Sequence, residues 1–231
     1  MRINRLTTVD STNLEVRRLV EAGERGPLWI VSAEQTAGKG RLGRSWVSKP
    51  GNFYGTLLWP TSAPQGAMAQ VSFVAALAVH QTASKFAEPK RISLKWPNDC
   101  LLDEAKFCGI LAEVVAPGLL AIGIGINIAH VPDGLPYQAS RLEAADVESV
   151  LKNLQLNLSN ALAIWSMGQG FEAIRQLWMA RCPHIGKAVT IDGMAGAFEG
   201  LGQDGALLLR LANGECKHIY AGDMRVEYQK Q

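Results

Sequence analysis

One stretch of the chain, residues 34–46, alternates basic side chains with glycines, and no acidic residue follows Glu34 within it. Glycine lets backbone N–H groups approach a ligand closely, and successive amides in such a turn form a concave anion site. An arginine adds paired donors that match a phosphate or a carboxylate. We predict that this stretch, the flap, closes over an anionic ligand, although a solvated basic surface loop has the same composition. The flap contains Gln35, Gly38, Lys39, Gly40, Arg41, Gly43, Arg44 and Trp46.

The flap matches neither of the two best-known phosphate-binding patterns. It lacks the Gly-Lys-Ser/Thr ending of a Walker loop. It also lacks the helix and the downstream acid of a dinucleotide-binding fingerprint. The ligand is therefore predicted to be a small anion held in some other way.

Two lysines follow on neighbouring predicted strands. Lys95 ends a strand, because Pro97 cannot continue a ladder inside a sheet. Lys106 begins the second arm of the next hairpin, so both amines can lie on one face of the sheet. Either lysine alone is typical of a solvated hairpin surface. Asp99 stands between the two in sequence and is a candidate to orient or to deprotonate an amine.

A glycine-containing apolar strand at 119–128 is the third candidate element. Gly123 and Gly125 interrupt it, and glycine inside a strand indicates that a backbone or a ligand comes very close. Asn127 follows among apolar neighbours. A buried carboxamide needs partners for two donors and one acceptor, and the edge of adenine offers them.

Composition and charge exclude several function classes. The net charge of +2 is too balanced for a general nucleic-acid binder, and no apolar run approaches the roughly 20 residues that span a bilayer. The four cysteines form no Cys-x-x-Cys pair, and no secretory leader is recognised, so we expect reduced thiols in a cytoplasmic protein. Cys182 and His184 lack a second ligand pair, so no dedicated metal site is predicted. His80 is interpreted as a core histidine.

The predicted elements alternate strands and helices before they end in a β-rich segment. Thr12 and Glu15 have capping-box spacing at the start of the first helix. A strand at 28–33 leads into the flap, and residues 129–145 are predicted to form a surface loop. Further strands are predicted at 2–9, 52–59, 92–96, 100–103, 106–115 and 119–128, and helices at 66–87, from Val147 to Trp165 and from Phe171 to Trp178.

From about His184 the pattern changes to short β-type runs. Asp-Gly and Asn-Gly pairs separate them, which is a strong hairpin signal. We predict a catalytic core at residues 1–183 and a small β domain at 184–231.

Four segments in register resemble the biotin–protein ligases. They are Gln35–Trp46, Lys95-Trp96-Pro97-Asn98-Asp99, Lys106-Phe107-Cys108-Gly109-Ile110-Leu111 and Gly123-Ile124-Gly125-Ile126-Asn127, with Ser11-Thr12-Asn13 before them. The resemblance is strong from about residue 8 to residue 128. It implies an α+β fold: a mixed sheet with helices on one side, related to class II aminoacyl-tRNA synthetases, followed by a small SH3-like β-barrel.

The resemblance also implies a reaction and its partners. Biotin is activated by MgATP to biotinyl-5′-AMP, and the biotinyl group then passes to a lysine of a biotin carboxyl carrier protein. Members often pair as homodimers through a sheet edge. The winged helix-turn-helix of the repressor members is not recognised, so we expect a ligase and not a DNA-binding regulator.

Roles for individual residues follow from the same resemblance. Lys106, Arg41 and Asp99 are expected to be catalytic. The residues expected to bind biotin are Ser11, Thr12, Asn13, Gln35, Gly38, Lys39, Arg41, Lys106, Gly109 and Leu111. The residues expected to bind ATP and the adenylate are Arg41, Arg44, Trp46, Lys95, Lys106 and Asn127.

Three departures from the family pattern leave details open. Lys39 replaces a common arginine, Arg225 stands near an atypical C-terminal ending, and Tyr137 is the candidate aromatic to cover adenine. Two alternatives also stay open. A lipoate ligase or octanoyltransferase could use Cys108 as an acyl acceptor, and a non-catalytic biotin or nucleotide sensor would bind without turnover.

Overall fold

A seven-stranded mixed sheet forms the centre of the computed structural model, which describes residues 1–226. Residues 227–231, the end of the predicted β domain, lie outside the described residues. The strands are β1 (Arg2–Val9), β2 (Leu28–Gln35), β3 (Phe53–Pro60), β4 (Ile92–Lys95), β5 (Asp99–Leu102), β6 (Ala105–Ala116) and β7 (Leu119–Ile126). Their order is β1-β2-β3-β7-β6-β5-β4, and only β1 and β2 pair in parallel. The sheet therefore brings the end of β2, which leads into the flap, near the β5–β6 hairpin.

Three helices cover one face of this sheet. They are α2 (Val71–Ala83), α3 (Val147–Trp165) and α4 (Phe171–Met179). Helix α2 is buried almost all round because it lies between the sheet and the other two helices. The helix predicted at 66–87 is wrong at both ends: residues Gln65–Gln70 form a 3₁₀ segment, and α2 ends at Ala83.

Helix α1 (Thr12–Glu21) lies on the opposite face. Alternate residues of a strand face opposite sides of a sheet. Leu28 and Ile30 pack with Val16 of α1, whereas Trp29 packs in the large cluster on the other side. The expectation of helices on one side only is therefore wrong for α1.

The capping-box prediction is also wrong. Ser11, with an extended backbone, precedes the first turn and makes no capping hydrogen bond through its side chain. Thr12 is already helical, and its hydroxyl bonds Gln35 and not the backbone of Glu15.

A second, five-stranded antiparallel sheet follows α4. Its apolar side chains, among them Phe198 and Leu207, belong to the same buried cluster as α2 and α4. The two sheets therefore share one continuous core. The strands, in the order β11-β10-β9-β8-β12, are β8 (Ala188–Ile191), β9 (Met194–Leu201), β10 (Leu207–Arg210), β11 (Cys216–Ile219) and β12 (Met224–Val226).

Candidate active site

A cleft of about 780 Å³ opens on the α1 face of the sheet. Gly123 and Gly125 line it, and they share the face of β7 that carries Leu119 and Ala121 against α1. Most residues expected from the sequence line this one cleft. They are Ser11, Thr12, Asn13, Gln35, Lys39, Arg41, Arg44, Trp46, Lys95, Asp99, Lys106, Gly109 and Leu111.

The flap is folded back on itself in a hairpin-like arrangement. Trp46 N donates to Gly38 O at 2.8 Å, and Gly40 N donates to Arg44 O at 2.7 Å. The turn between these bonds is made by Leu42 and Gly43, both with positive φ. Gly38 is not at the cleft surface. A Cβ there would lie 2.7 Å from Ser48 Oγ, so the glycine allows the two arms of the flap to meet.

Trp46 seals the flap against the sheet. Its indole packs on Gly109 and Gly125, where a Cβ on Gly125 would lie only 2.5 Å from Trp46 Nε1. Gly123 has the same relation to the carboxamide of Asn13. The close approach predicted at these strand glycines is confirmed, but the neighbours are the side chains of Asn13 and Trp46 and not the expected backbone or ligand.

Lys106 and Asp99 form an ion pair at the floor of the cleft, with Lys106 Nζ 2.7 Å from Asp99 Oδ1. Among the described residues, Asp99 Oδ1 is buried and has no hydrogen-bond partner, so attraction between charges holds the pair. The lysine amine also lies 5.4 Å from the ring of Trp46 and 5.2 Å from that of Tyr137. Both charged side chains are at most one-fifth exposed, which strengthens the attraction relative to water.

Two more cations are partly withdrawn from water. Burial lowers the pKa of Lys95, while the nearby Asp99 acts in the opposite direction. Burial also lowers the pKa of Arg41, whose Nη1 lies 3.4 Å from both Asn98 Oδ1 and Gly222 O. Burial disfavours the charged forms of Lys95 and Arg41, and a bound anion would stabilise those forms.

A hydrogen-bonded chain connects the cleft floor to the flap. Thr56 Oγ1 lies 2.8 Å from Thr12 Oγ1 and 2.7 Å from Asn13 Oδ1. Thr12 N donates to Gln35 Oε1, Gln35 Nε2 donates to Ser48 Oγ, and Ser48 Oγ donates to Trp46 O.

The far end of this chain is Glu113, whose Oε2 accepts from Asn13 Nδ2 at 2.8 Å. Thr56, Ser48 and Glu113 were not predicted from the sequence, because each stands outside the glycine-rich and lysine-containing segments. A threonine in the middle of an apolar strand is the one signal that could have indicated Thr56.

The C-terminal sheet contributes directly to the cleft. Arg44 Nη2 pairs with Asp223 Oδ1 at 2.6 Å, and Asp223, Met224, Arg225 and Val226 line the cleft wall. The sequence analysis left the role of Arg225 open and did not single out Asp223. The flap is thus held between the catalytic sheet and the β domain.

Asn127 lies outside the main cleft. It is buried, its Nδ2 donates to Ser140 O at 3.1 Å, and its Oδ1 lies 3.5 Å from Asn52 Nδ2. It borders a small side cavity of about 20 Å³ next to Trp46 and Tyr137. Contact between Asn127 and adenine therefore stays a prediction.

Other candidate nucleophiles and ligands lie away from the cleft. Cys108 is fully buried in the core on the α2 face, beside Cys100. Burial lowers the pKa of both His80 and His184 to about 4. Within residues 1–226 no group of three or more His, Cys, Asp or Glu side chains could hold a metal ion, and no helix is long and apolar enough to cross a membrane.

Comparison with known proteins identifies the family of this chain. The profile of the biotin/lipoate A/B protein ligase family matches residues 6–128, which include the flap and both lysines. This chain belongs to that family. The profile of the biotin protein ligase C-terminal domain matches residues 184–226, the segment that supplies Asp223 to the ligase cleft.

Individual ligases are similar over nearly the whole length. Biotin–[acetyl-CoA-carboxylase] ligase of Paracoccus denitrificans is 38% identical over 89% of this chain and 92% of that protein. The bifunctional ligase/repressor BirA of Bacillus subtilis is 31% identical over 85% of this chain and 65% of its own length. The structure of biotin protein ligase from Aquifex aeolicus in complex with biotin and ATP superimposes with a TM-score of 0.85, at 27% identity and 99% coverage of both chains.

Proposed function

We propose that this chain is an ATP-dependent biotin–protein ligase. The observation that carries the proposal is the convergence of the flap cation Arg41 and the hairpin cation Lys106 on one cleft. Two negatively charged reactants, a carboxylate and a nucleotide triphosphate, require such a site, because they repel each other in water. The family membership and the ligase relatives support the same reaction.

In the first step, a carboxylate oxygen of biotin attacks the α-phosphorus of ATP. A new P–O bond forms, the bond to pyrophosphate breaks, and biotinyl-5′-AMP and pyrophosphate result. Lys106, Arg41 and Lys95 are placed to neutralise the charges of both reactants and of the transition state. Mg²⁺ would arrive with the triphosphate, and Trp46 would exclude the water that hydrolyses the mixed anhydride.

In the second step, a lysine amine of a biotin carboxyl carrier domain attacks the acyl carbon. The amide bond forms, the acyl–oxygen bond breaks, and AMP leaves with the electron pair. Asp99 is the candidate to orient the amine or accept its proton, because its carboxylate lies beside Lys106 at the cleft floor. Much of the rate would come from holding the two reactants together, which is worth up to ~7–11 kcal/mol in well-oriented cases.

The family resemblance supplies the residue assignments, and all of the residues assigned here except Asn127 line the cleft. Thr12 and Gln35, at the start of α1 and the end of β2, are proposed to meet the ureido ring of biotin. Gly109 and Leu111 would line the path of its apolar tail. Arg44 and Asn127 are proposed for the nucleotide. A cytoplasmic location is expected, and a homodimer would pair through an edge of the seven-stranded sheet.

Biotin-dependent exchange of pyrophosphate into ATP tests this function. We expect the wild type to catalyse exchange and to add one biotinyl group to a carrier domain, detected by mass spectrometry. Lys106→Ala should reduce exchange by at least ~100-fold, since a positioned cation in the reaction centre is lost. Lys152→Ala, on the exposed surface of α3, is the matched control. Arg41→Gly should release more free adenylate because the flap closes less well.

The same assays address the alternatives. An octanoyltransferase would need an accessible thiol, and the buried position of Cys108 on the other face of the sheet argues against one. Cys108→Ala should therefore retain ligation. A sensor would bind biotin without exchange, so absence of exchange in the wild type would contradict the proposed function.

A further inference from the structure

Glu104 is exposed at the mouth of the cleft, and no partner within residues 1–226 explains its position. It occupies the turn between β5 and β6 next to Asp103, and both residues have positive φ, 50° for Asp103 and 64° for Glu104. Such a two-residue hairpin turn favours Asn-Gly, because side chains are strained in the left-handed region. Strained backbone that persists is concentrated at functional sites.

Asp103 is accounted for by a structural contact. Arg91 Nε lies 3.0 and 3.1 Å from the two carboxylate oxygens of Asp103, and Asp103 N donates to Arg91 O. Within residues 1–226, by contrast, the exposed carboxylate of Glu104 makes neither an ion pair nor a hydrogen bond, yet it lines the cleft.

The cleft is predominantly basic, and an unpaired carboxylate there can attract a cationic substrate. Six basic side chains line the cleft against three acidic ones. Asp99 is paired with Lys106 and Asp223 with Arg44, so Glu104 is the one acid of the described cleft wall without a cationic partner. A lysine ammonium approaching such a basic cleft is repelled unless an unpaired acid meets it.

The position of Glu104 suits contact with an incoming lysine ammonium. It lies in the turn that leads into β6, two residues before Lys106, and both residues line the cleft. Gln138 O accepts from Lys106 N, and Gln138 also lines the cleft. Because Glu104 is exposed and lines the same cleft as Lys106, an ammonium entering from solvent can meet its carboxylate first.

We propose that Glu104 is an acceptor-positioning residue, whose carboxylate holds the ammonium of the substrate lysine at the cleft mouth before that lysine loses its proton. This inference rests on the proposed function. Glu104 takes no part in bond exchange, and it acts only in the second step. Its effect is therefore expected in transfer to lysine and not in adenylate formation.

Separate measurement of the two steps tests the proposal. Glu104→Gln should lower kcat/KM for a biotin carboxyl carrier domain by about 3–10-fold, and Glu104→Lys should lower it further. Glu104→Asp should restore most of the rate. Pyrophosphate exchange, and transfer from biotinyl-5′-AMP to the neutral amine hydroxylamine, should be unchanged. The rate with the carrier should fall with added salt in the wild type and less steeply in Glu104→Gln.

A glycine variant separates function from strain. Glu104→Gly should raise the melting temperature, because glycine accepts the left-handed turn, while still slowing transfer to the carrier. Glu21→Gln, at the exposed end of α1, is the matched control. Unchanged transfer to the carrier, or equal losses with carrier and hydroxylamine, would overturn the inference alone. Absence of exchange in the wild type would instead overturn the proposed function and this inference with it.

Discussion

At the scale of single residues, Thr56 illustrates how the cleft depends on side chains behind it. Its hydroxyl is fully buried between Thr12 Oγ1 and Asn13 Oδ1, two groups of the candidate biotin site. Removing one partner of a buried hydrogen bond costs about 1–3 kcal/mol, because the remaining group loses water without a replacement. Thr56 therefore contributes both to stability and to the orientation of the first turn of α1.

Thr56→Val, which keeps the shape of the side chain, separates these two contributions. We expect a loss of about 1–3 kcal/mol in the free energy of unfolding, measured with urea, and a several-fold rise in the biotin concentration needed for half-maximal exchange. Thr82→Val is the control, since Thr82 is equally buried but bonds Asn157 far from the cleft. An equal effect of both variants on biotin binding would show that Thr56 acts through stability alone.

At the scale of elements, the flap contacts the β domain through an exposed ion pair between Arg44 and Asp223 and through the longer hydrogen bond from Arg41 to Gly222 O. Arg44 and Asp223 are each about half exposed, so their pair should add at most ~1 kcal/mol to global stability. Its consequence is local, because it restrains a loop that carries three cleavage sites for trypsin, at Lys39, Arg41 and Arg44.

Asp223→Asn should accordingly accelerate tryptic cleavage within the flap by a few fold and leave the unfolding midpoint nearly unchanged. Biotin with MgATP should protect both proteins by occupying the cleft. Glu199→Gln is the control, because it breaks a similarly exposed pair with Arg210 that lies away from the flap. Equal cleavage rates in Asp223→Asn and in the wild type would mean that the ion pair does not restrain the flap.

Elements with a strong local signal were predicted from the sequence, and those decided by tertiary contacts were not. The strands β2, β6 and β7 and the Asp-Gly and Asn-Gly turns follow from apolar runs and turn residues. The capping box failed because Gln35, 23 residues away in the chain, accepts the bond that local spacing assigned within the helix. The side of the sheet on which α1 packs also depends on contacts with residues far away in the sequence, so it could not be predicted locally.

In the candidate site too, residues with a local sequence signal were predicted, and those that depend on tertiary contacts were not. Lys95, Lys106 and the flap could be predicted because their residue types recur at informative spacing. Asp223 could not, since its importance comes from a contact with Arg44 across 179 positions of sequence. Glu104 was missed because a single exposed acid in a hairpin turn has no distinctive pattern until the cleft around it is known.

At the scale of the whole molecule, two histidines are buried in the continuous core and should make folding sensitive to mild acid. His80 and His184 are nearly inaccessible, and burial lowers the pKa of each to about 4 from an unfolded value near 6.5. Arg181 adds to the effect at His80, and Lys95 and Lys187 add to it at His184. Between these two pH values the unfolded chain binds more protons than the native one, so stability falls as pH decreases.

Each histidine should therefore remove on the order of 2–3 kcal/mol of stability as the pH falls from about 6.5 to about 4. The carboxylates of Asp10 and Glu24 affect stability only at lower pH. Ion pairs with Arg18 and Arg2 lower their pKa values to about 2, so their contribution is lost mainly below pH 4.5. Urea unfolding at a series of pH values should show the first decline in the histidine range.

His184→Gln should flatten that decline, whereas His218→Gln, at an exposed position of β11, should leave it unchanged. The charge of Lys95, a cleft residue, contributes to the lowered pKa of His184, so the acid-sensitive core lies close to the cleft. Exchange activity in the wild type should then fall together with stability below pH 6. A stability that stays constant from pH 7 to pH 4.5 would show that the two imidazoles are not held neutral by burial.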